Sequence, residues 1–470
     1  MINEVKTYLE QLLQKHKISM EKHHTVLLEP FANDEFITNA YNSIKNTQQA
    51  MIDKWKEKTQ IEDIKVKQIS LANGTANKPY EFVFDFEQLK FSGIIGDYNI
   101  VADEKTGLEF HKEENKISGV PKEAGEFILL FNFKLKTETE EQPFHQKEIK
   151  LFVNADPKSL WKNEPTPTDI EYYKPDDVSA HFEFGTKKLI IGSKRGRSHA
   201  HEAKPRDDAF EYTFQDETGW GIIAIADGAG SAKYSRKGSE IACETIIEYF
   251  KNVEKEKLQE IETAIQNFLS EETDENRNTL SGLLSLQLVK AAFTAQQNIK
   301  EEATIKEAEI RDYSTTLIFA LIKKYETKYL ITSFWVGDGG IGIYNKNKNE
   351  VAVLGTPDSG EFAGQTRFLT MSDIFVDSSV YNRIKLKVVE DFTALILMTD
   401  GITDSKFQTD NNLNKIEKWD ELWDDLNGNN QDNCKVDFTK PIEETEKDLM
   451  TWLDFWSAGN HDDRTIAILY

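Results

Sequence analysis

The sequence predicts an α+β protein, because helical periodicity and strand-like patterns occupy different parts of its 470 residues. Residues 1–63 have the apolar spacing of helices. Residues 64–156 consist of short β-branched and aromatic runs between turn residues, which is typical of strands. Residues 186–470 contain both patterns. A chain of this length allows two or three domains of roughly 100–200 residues each.

The N-terminal segment, residues 1–63, is predicted to be helical. Its first apolar residues recur at helical spacing: they are Val5, Leu9, Leu12 and Leu13. Residues 41–55 show a weaker periodicity of the same kind. We expect these helices to pack on neighbouring elements or on a partner rather than to take part in catalysis.

The middle segment, residues 64–156, is predicted to form a small β-sandwich. The strand-like runs are VKQISL, YEFVFDF, EFILLFNFKL and IKLFVN. One stretch resembles a cadherin-like domain of the immunoglobulin-like type, in which I-S-G-x-P precedes a strand that begins with glycine. The matching residues are Ile117, Ser118, Gly119, Pro121 and Gly125. The resemblance implies a domain that binds a partner or acts as a spacer.

A linker is predicted over residues 157–185. It carries four prolines among polar residues, which favour extended chain over helix: Pro157, Pro165, Pro167 and Pro175. The catalytic domain is therefore expected to begin at residue 186.

Composition limits the function classes. The formal net charge is −24, so the average surface repels nucleic acid and anionic membranes. The only cysteines, Cys243 and Cys434, exclude a disulfide framework and a thiolate zinc site. Because the sequence contains neither a signal-peptide pattern nor a membrane-length apolar run, we expect a cytoplasmic protein.

Acidic residues recur at the ends of strand-like runs in the C-terminal part. The runs GWGIIAIADG, YLITSFWVGDGG and ALILMTDG each end in Asp-Gly, and pairs of aspartates precede AFEYTF and TIAILY. If these strands share a core, the carboxylates converge, and desolvating several of them without cations costs too much to be stable. Oxygen ligands suit Mg²⁺ or Mn²⁺. The aspartates are Asp227, Asp338, Asp400, Asp207, Asp208, Asp462 and Asp463.

A series of motifs between residues 188 and 470 resembles the protein phosphatase 2C family in its bacterial branch. They are SKRGRSHAHEAKPRDDAF, IADGAGS, DYSTTLIFAL, VGDGG, MTDGITD and HDDRTIAIL, in the family's order. The segment from Ser359 to Thr370 is similar to the stretch that follows the Gly-Asp-Ser motif in this branch. The resemblance implies an α-β-β-α sandwich, with two antiparallel sheets flanked by helices and metals at one end.

The resemblance also implies site residues and a reaction. Asp227 bridges two Mn²⁺ or Mg²⁺ ions, while Asp338 and Asp404 support a third, weaker metal site. The implied metal ligands are Asp208, Asp227, Gly228, Asp338, Asp400, Asp404 and Asp462. A metal-activated water then hydrolyses phosphoserine or phosphothreonine in a protein substrate, and a serine/threonine kinase is the expected counterpart.

Two departures from the family pattern concern phosphate. Ala203 stands where animal members carry a phosphate-gripping arginine, so Arg195 is the predicted catalytic phosphate ligand, chosen over Arg197, Lys204 and Arg206. Ala229 replaces a histidine proposed as general acid in animal members. His199 is the predicted second phosphate-binding residue and a candidate proton donor.

Two further hypotheses remain open. The chain could be a pseudophosphatase, a scaffold that binds phosphoproteins without turnover, although the intact aspartates favour the enzyme. Residues 1–175 could dock a partner on which the phosphatase then acts.

Overall fold

The computed structural model describes residues 2–358 and 366–470. The chain folds into two compact units, Met1–Leu160 and Trp161–Tyr470. The family-like segment predicted from Ser359 onward lies outside the described residues as far as residue 365. Among the described residues, no helix is both long and apolar enough to cross a membrane.

The first unit begins with helices, as the N-terminal periodicity predicts. They are α1 (Ile2–Lys15), α2 (Thr25–Ala32) and α3 (Glu35–Val66). The Asp34 side chain caps α3 by accepting hydrogen bonds from the backbone N–H groups of Phe36 and Ile37. Val5 and Leu9 of α1 are buried against Leu28 and Ala32 of α2, so these short helices are stabilised by a small core of their own.

The rest of the first unit is built from strands. They are β1 (Gly74–Thr75), β2 (Tyr80–Val83), β3 (Ile95–Val101), β4 (Leu108–His111), β5 (Lys116–Gly119), β6 (Gly125–Leu135) and β7 (His145–Asn154). One sheet has the order β1-β7-β6-β3 and another the order β2-β5-β4. Ile149, Leu151 and Val153 alternate with exposed residues along β7 and point into a phenylalanine-rich core.

The second unit contains two larger sheets. Its strands are β8 (Asp177–Phe184), β9 (Lys187–Lys194), β10 (Ala209–Gln215), β11 (Trp220–Ala226), β12 (Leu317–Tyr325), β13 (Lys328–Val336), β14 (Gly340–Asn345), β15 (Glu350–Gly355), β16 (Ile384–Val389), β17 (Ala394–Met398) and β18 (Arg464–Leu469). Sheet A has the order β10-β11-β12-β13-β16, and sheet B has the order β15-β14-β17-β18-β9-β8. All pairings within both sheets are antiparallel.

Helices cover these sheets. They are α4 (Arg197–His201), α5 (Ser235–Lys251), α6 (Lys255–Ser270), α7 (Asp274–Ile305), α8 (Asp400–Phe407), α9 (Ile416–Leu426) and α10 (Ile442–Trp452). Along β11, Ile222 and Ala224 pack against α5–α7, whereas Ile223 and Ile225 pack between the sheets. The outer face of sheet B packs on α8–α10, where Trp419 and Trp452 are buried. The predicted α+β class is confirmed.

The segment predicted as a linker differs from that expectation in its second half. Residues Asp177–Phe184 form strand β8, which pairs with β9 along its whole length. The prolines that suggested extended chain all precede this strand. Proline content therefore indicated where helix is absent, but it did not separate a linker from chain packed on a domain.

Candidate metal centre

Three of the predicted aspartates meet at one edge of sheet A. Ala209 at the start of β10 lies opposite Ala226 at the end of β11. Asp208 therefore faces Asp227 across the strand pair. β13 runs in the same direction as β11 and ends just before Asp338. The antiparallel register thus delivers these carboxylates to a single edge.

The same edge of sheet B supplies the other aspartates. Met398 at the end of β17 pairs with Ile466 near the start of β18. Asp400 follows β17 and opens helix α8, and the exposed Asp462 precedes β18. β14 begins two residues after Asp338, so the connection between the sheets passes through the cluster.

The carboxylates converge closely. Oxygen atoms of Asp227, Asp338 and Asp400 all lie within 4.8 Å of one another. Asp208 is fully buried, and its Oδ2 accepts hydrogen bonds from the hydroxyls of Thr465 (2.6 Å) and Thr399 (3.0 Å). Among the described residues, the buried Oδ1 atoms of Asp208, Asp338 and Asp400 have no hydrogen-bond partner. Buried polar atoms without a partner are rare in folded proteins and indicate a missing ion or water.

Electrostatics penalise this cluster in the absence of cations. Burial and the charge of Asp463 raise the pKa of Asp208 to about 7. Burial, followed by the charge of Asp400, raises the pKa of Asp227 well above its usual value. Burial and the charges of Asp338, Asp462, Asp208 and Asp404 do the same for Asp400. Asp227, Asp338 and Asp400 therefore form a close group, while Asp208, Asp404 and Asp462 raise the pKa of Asp400 through their charges.

Asp463 behaves differently from its neighbour Asp462. Its carboxylate accepts hydrogen bonds from the backbone N–H groups of Gly196 and Asp207, both at 2.6 Å, and from His199 Nδ1 at 3.0 Å. Burial opposes ionisation, but these hydrogen bonds hold the pKa of Asp463 below its usual value. Asp463 thus connects the chain after β9 to the chain before β10.

His199 lies between two carboxylates. Its Nε2 is 3.6 Å from Asp207, on the side of the ring opposite Asp463. Burial disfavours the charged imidazolium, yet the hydrogen bond to Asp463 and the nearby acidic charges raise the pKa of His199 to about 9. The ring is therefore a cation at neutral pH. His199, Asp462 and Asp463 also come close enough to hold a metal ion, but the Asp463 oxygens are already hydrogen-bonded.

The predicted phosphate ligand Arg195 is engaged elsewhere. Its guanidinium contacts Glu164 O at 2.7 Å, Thr166 Oγ1 at 2.7 Å and Asp176 Oδ2 at 3.0 Å. A direct contact between Arg195 and phosphate would require these bonds to break. Arg206 is buried as well, and it donates to Asp208 O at 2.6 Å.

Sequence reasoning missed several residues that shape the centre. Thr399 and Thr465 bind the Asp208 carboxylate, and Lys174 from the predicted linker reaches the Asp208 carbonyl at 3.1 Å. Thr465 belongs to a recognised motif and could have been assigned to the site. Lys174 carried no sequence signal, since only the fold brings it near residue 208.

One comparison with known proteins identifies a family. A family model described as Protein phosphatase 2C matches residues 195–453. The comparison with curated proteins gives no match.

Solved structures give distant likenesses. A bacterial serine phosphatase is 15% identical over 60% of this chain and 96% of its own, with a TM-score of 0.36. The catalytic domain of the serine threonine protein phosphatase PstP, in complex with 2 manganese ions, is 14% identical over 62% and 98%, with a TM-score of 0.33. RsbX in complex with magnesium is 12% identical over 62% and 98%, with a TM-score of 0.31.

Proposed function

Because the chain belongs to the protein phosphatase 2C family, we propose that it is a metal-dependent phosphatase acting on phosphoserine and phosphothreonine in proteins. The observation that carries the proposal is the set of buried carboxylate oxygens on Asp208, Asp338 and Asp400 that lack a partner among the described residues. A protein that keeps such a set loses stability unless cations occupy it.

The donor set fits hard divalent cations. The proposed side-chain ligands are all carboxylates, which suit Mg²⁺ and Mn²⁺ better than zinc. Asp227, with the Gly228 carbonyl, would hold the pair of cations, and Asp338 with Asp404 would hold a third, more weakly bound cation. The full proposed set is Asp208, Asp227, Gly228, Asp338, Asp400, Asp404 and Asp462.

The chemistry divides between the cations and the chain. When bound, a pair of divalent cations lowers the pKa of water and offsets charge on a phosphoryl group. The chain's own part is to hold the carboxylates in place. The strand register fixes Asp208 opposite Asp227, and the hydroxyls of Thr399 and Thr465 orient the Asp208 carboxylate.

We assign two roles to His199: it binds the phosphate and donates a proton to the leaving group. Its imidazolium is held between Asp463 and Asp207 and lies beside Asp462. A cation in this position attracts a phosphate oxygen and has a proton to donate to the departing alkoxide. Arg195 is given a positioning role, because its guanidinium already binds Glu164, Thr166 and Asp176.

The substrate class follows from the family, whose members act on phosphoproteins. We infer that a serine/threonine kinase produces the substrate. Nucleic acid and anionic membranes are not proposed as partners, since the chain carries a net charge of −24.

The test is phosphate release from p-nitrophenyl phosphate and from a phosphothreonine peptide, with Mn²⁺ titrated from zero. We expect activity that depends on Mn²⁺ and is lost in Asp400→Asn. The matched control is Asp391→Asn, whose side chain pairs with Lys187 at the opposite end of β9 from Arg195. Wild-type protein that binds Mn²⁺ but releases no phosphate from either substrate would instead favour a pseudophosphatase scaffold.

We further propose that residues 64–156 are an immunoglobulin-like domain that docks the phosphoprotein. Its sheets β1-β7-β6-β3 and β2-β5-β4 enclose one core, to which Ile61 and Ile64 of α3 also contribute, and this shared core supports a folded binding module. Deleting residues 1–160 should leave activity on p-nitrophenyl phosphate unchanged and weaken activity on the natural phosphoprotein. Equal activity on both substrates after the deletion would remove this role.

A further inference from the structure

Lys174 has surroundings that are unusual for a residue of a predicted linker. It is only 6% exposed. Its ammonium group donates to Asp208 O at 3.1 Å and to Ser239 Oγ at 3.0 Å, and Asp207 O lies at 3.5 Å. A buried lysine is expensive unless its charge and its hydrogen bonds are satisfied. Here the hydrogen-bond acceptors are the main-chain carbonyls of Asp207 and Asp208, beside the metal centre, and the Ser239 hydroxyl.

Two basic side chains, Lys174 and Arg206, donate hydrogen bonds to the Asp208 carbonyl oxygen. Arg206 Nη1 donates to the same oxygen at 2.6 Å and to Ser193 Oγ at 2.5 Å. Ser193 in turn contacts Thr465 Oγ1 at 2.6 Å, and Thr465 donates to the Asp208 carboxylate. The main chain and the side chain of Asp208 are therefore fixed through one connected network.

The segment that carries Lys174 is itself anchored. We call residues 163–176 the strap. Arg195 binds its first half through Glu164 O and Thr166 Oγ1, both at 2.7 Å. Near its other end, the Tyr172 hydroxyl donates to Glu302 of α7 at 2.7 Å. These contacts precede Lys174 in the chain, and beyond it the Arg195 N–H donates to Asp176 O at 2.8 Å, so the Lys174 backbone is held on both sides.

We propose that Lys174 is a positioning residue of the metal centre, which aims the Asp208 carboxylate by holding the carbonyl groups of Asp207 and Asp208. The strap is then a working part of the phosphatase and not a spacer before it. This inference rests on the proposed function, since it assumes that Asp208 serves a cation. A residue of this kind supports the ligand from outside the ligand set, and its loss typically weakens metal binding by roughly 10–100-fold.

The experiment measures Mn²⁺ affinity of the full-length chain by calorimetry, together with the Mn²⁺ concentration that gives half-maximal phosphatase activity. Lys174→Met removes the charge and the hydrogen bonds while keeping the length. We expect Lys174→Met to raise both quantities by about tenfold or more, with a smaller change in kcat at saturating Mn²⁺. Lys174→Gln keeps a neutral donor and should lie between Lys174→Met and the wild type.

The control is Lys187→Met, the same substitution at a lysine whose ammonium group donates to Phe392 O at 2.6 Å, at the opposite end of β9 from Arg195. It should lower the melting temperature without changing Mn²⁺ affinity. Folded Lys174→Met and Lys174→Gln with wild-type Mn²⁺ affinity would overturn the inference. Failure of both variants to fold in excess Mn²⁺ would also overturn it, in favour of a purely structural lysine. Wild-type protein that binds no Mn²⁺ would instead contradict the proposed function.

Discussion

Two kinds of carboxylate lie at the same edge of the phosphatase sheets, and the fold treats them in opposite ways. Asp463 is buried and accepts hydrogen bonds from Gly196, Asp207 and His199. In what we call the open cluster, one buried oxygen on each of several carboxylates lacks a partner among the described residues. These carboxylates belong to Asp208, Asp338 and Asp400, and Asp227 has an oxygen within 4.8 Å of those of Asp338 and Asp400.

The contrast separates a structural carboxylate from a ligand. Asp463 has a lowered pKa, since its hydrogen bonds stabilise the charge more than burial opposes it. Asp208 has a raised pKa, because burial and the Asp463 charge outweigh its hydroxyl partners. Residue type and sequence position alone do not distinguish them. The distinguishing feature is whether the protein itself supplies the counter-charge.

The largest expected effect is on stability, at Asp463. Asp463→Ala leaves two buried N–H groups and the His199 cation without their acceptor, so we expect the free energy of unfolding to fall by roughly 3–5 kcal/mol. Urea denaturation in EDTA measures this loss. The control Asp462→Ala, at the exposed neighbouring residue, should change stability little. Equal losses in the two variants would mean that Asp463 is not a structural carboxylate.

The second effect is on activity, within the open cluster. Asp227→Ala removes the proposed bridging ligand, and we expect phosphatase activity to fall by roughly a thousandfold, because bound metals contribute several kcal/mol to the rate. The fold should survive, and the variant should be at least as stable as the wild type in EDTA. Asp227→Ala protein that retains a tenth of wild-type activity would contradict the assignment of Asp227.

Sequence patterns predicted much of this arrangement, and the limits of that prediction are instructive. Strand-like runs ending in Asp-Gly placed Asp227, Asp338 and Asp400 at strand ends, and the strand register does bring them together. The apolar spacing of residues 237–250 and 283–300 also predicts helices, and both segments lie within the longer α5 and α7.

Partners that are distant in sequence could not be predicted. Arg195 was chosen as a phosphate ligand because of its motif, yet its guanidinium binds Glu164, Thr166 and Asp176 of the strap. Lys174 shows the same limit, since its contact with Asp208 exists only after the strap has packed on the domain. Motif position identifies residues near a site, whereas tertiary contacts determine which side-chain atoms remain free to bind a ligand.

The third effect is the stabilisation that metal binding provides. At a free Mn²⁺ concentration about 100 times the dissociation constant, a ligand that binds only the folded state adds about 2.7 kcal/mol. We expect the wild type to show this gain in thermal or urea unfolding. Asp400→Asn should lose most of the gain, while Asp391→Asn should keep it. A gain that persists in Asp400→Asn would place the cation away from the open cluster.

The smallest expected effect is on the pH dependence of stability in the absence of metal. It tests whether the pKa of Asp208 is raised while that of Asp463 is lowered. A carboxyl group with a raised folded-state pKa contributes stability that is lost as pH rises, here across the interval from 3.8 to about 7 for Asp208. We expect wild-type protein in EDTA to be less stable at about pH 6.5 than at about pH 5, and Asp208→Asn to reduce that difference by about 1–2 kcal/mol. His199, with a pKa of about 9, stays charged in the folded state at both pH values, and its loss of a proton in the unfolded chain is common to the wild type and Asp208→Asn, so it cancels in the comparison. Asp463 has a lowered pKa and stays ionised in both states over this interval, so its own titration adds nothing to the pH difference. An unchanged pH difference in Asp208→Asn would mean that Asp208 already has a counter-charge within the protein, and the open cluster would then have no need of a cation there.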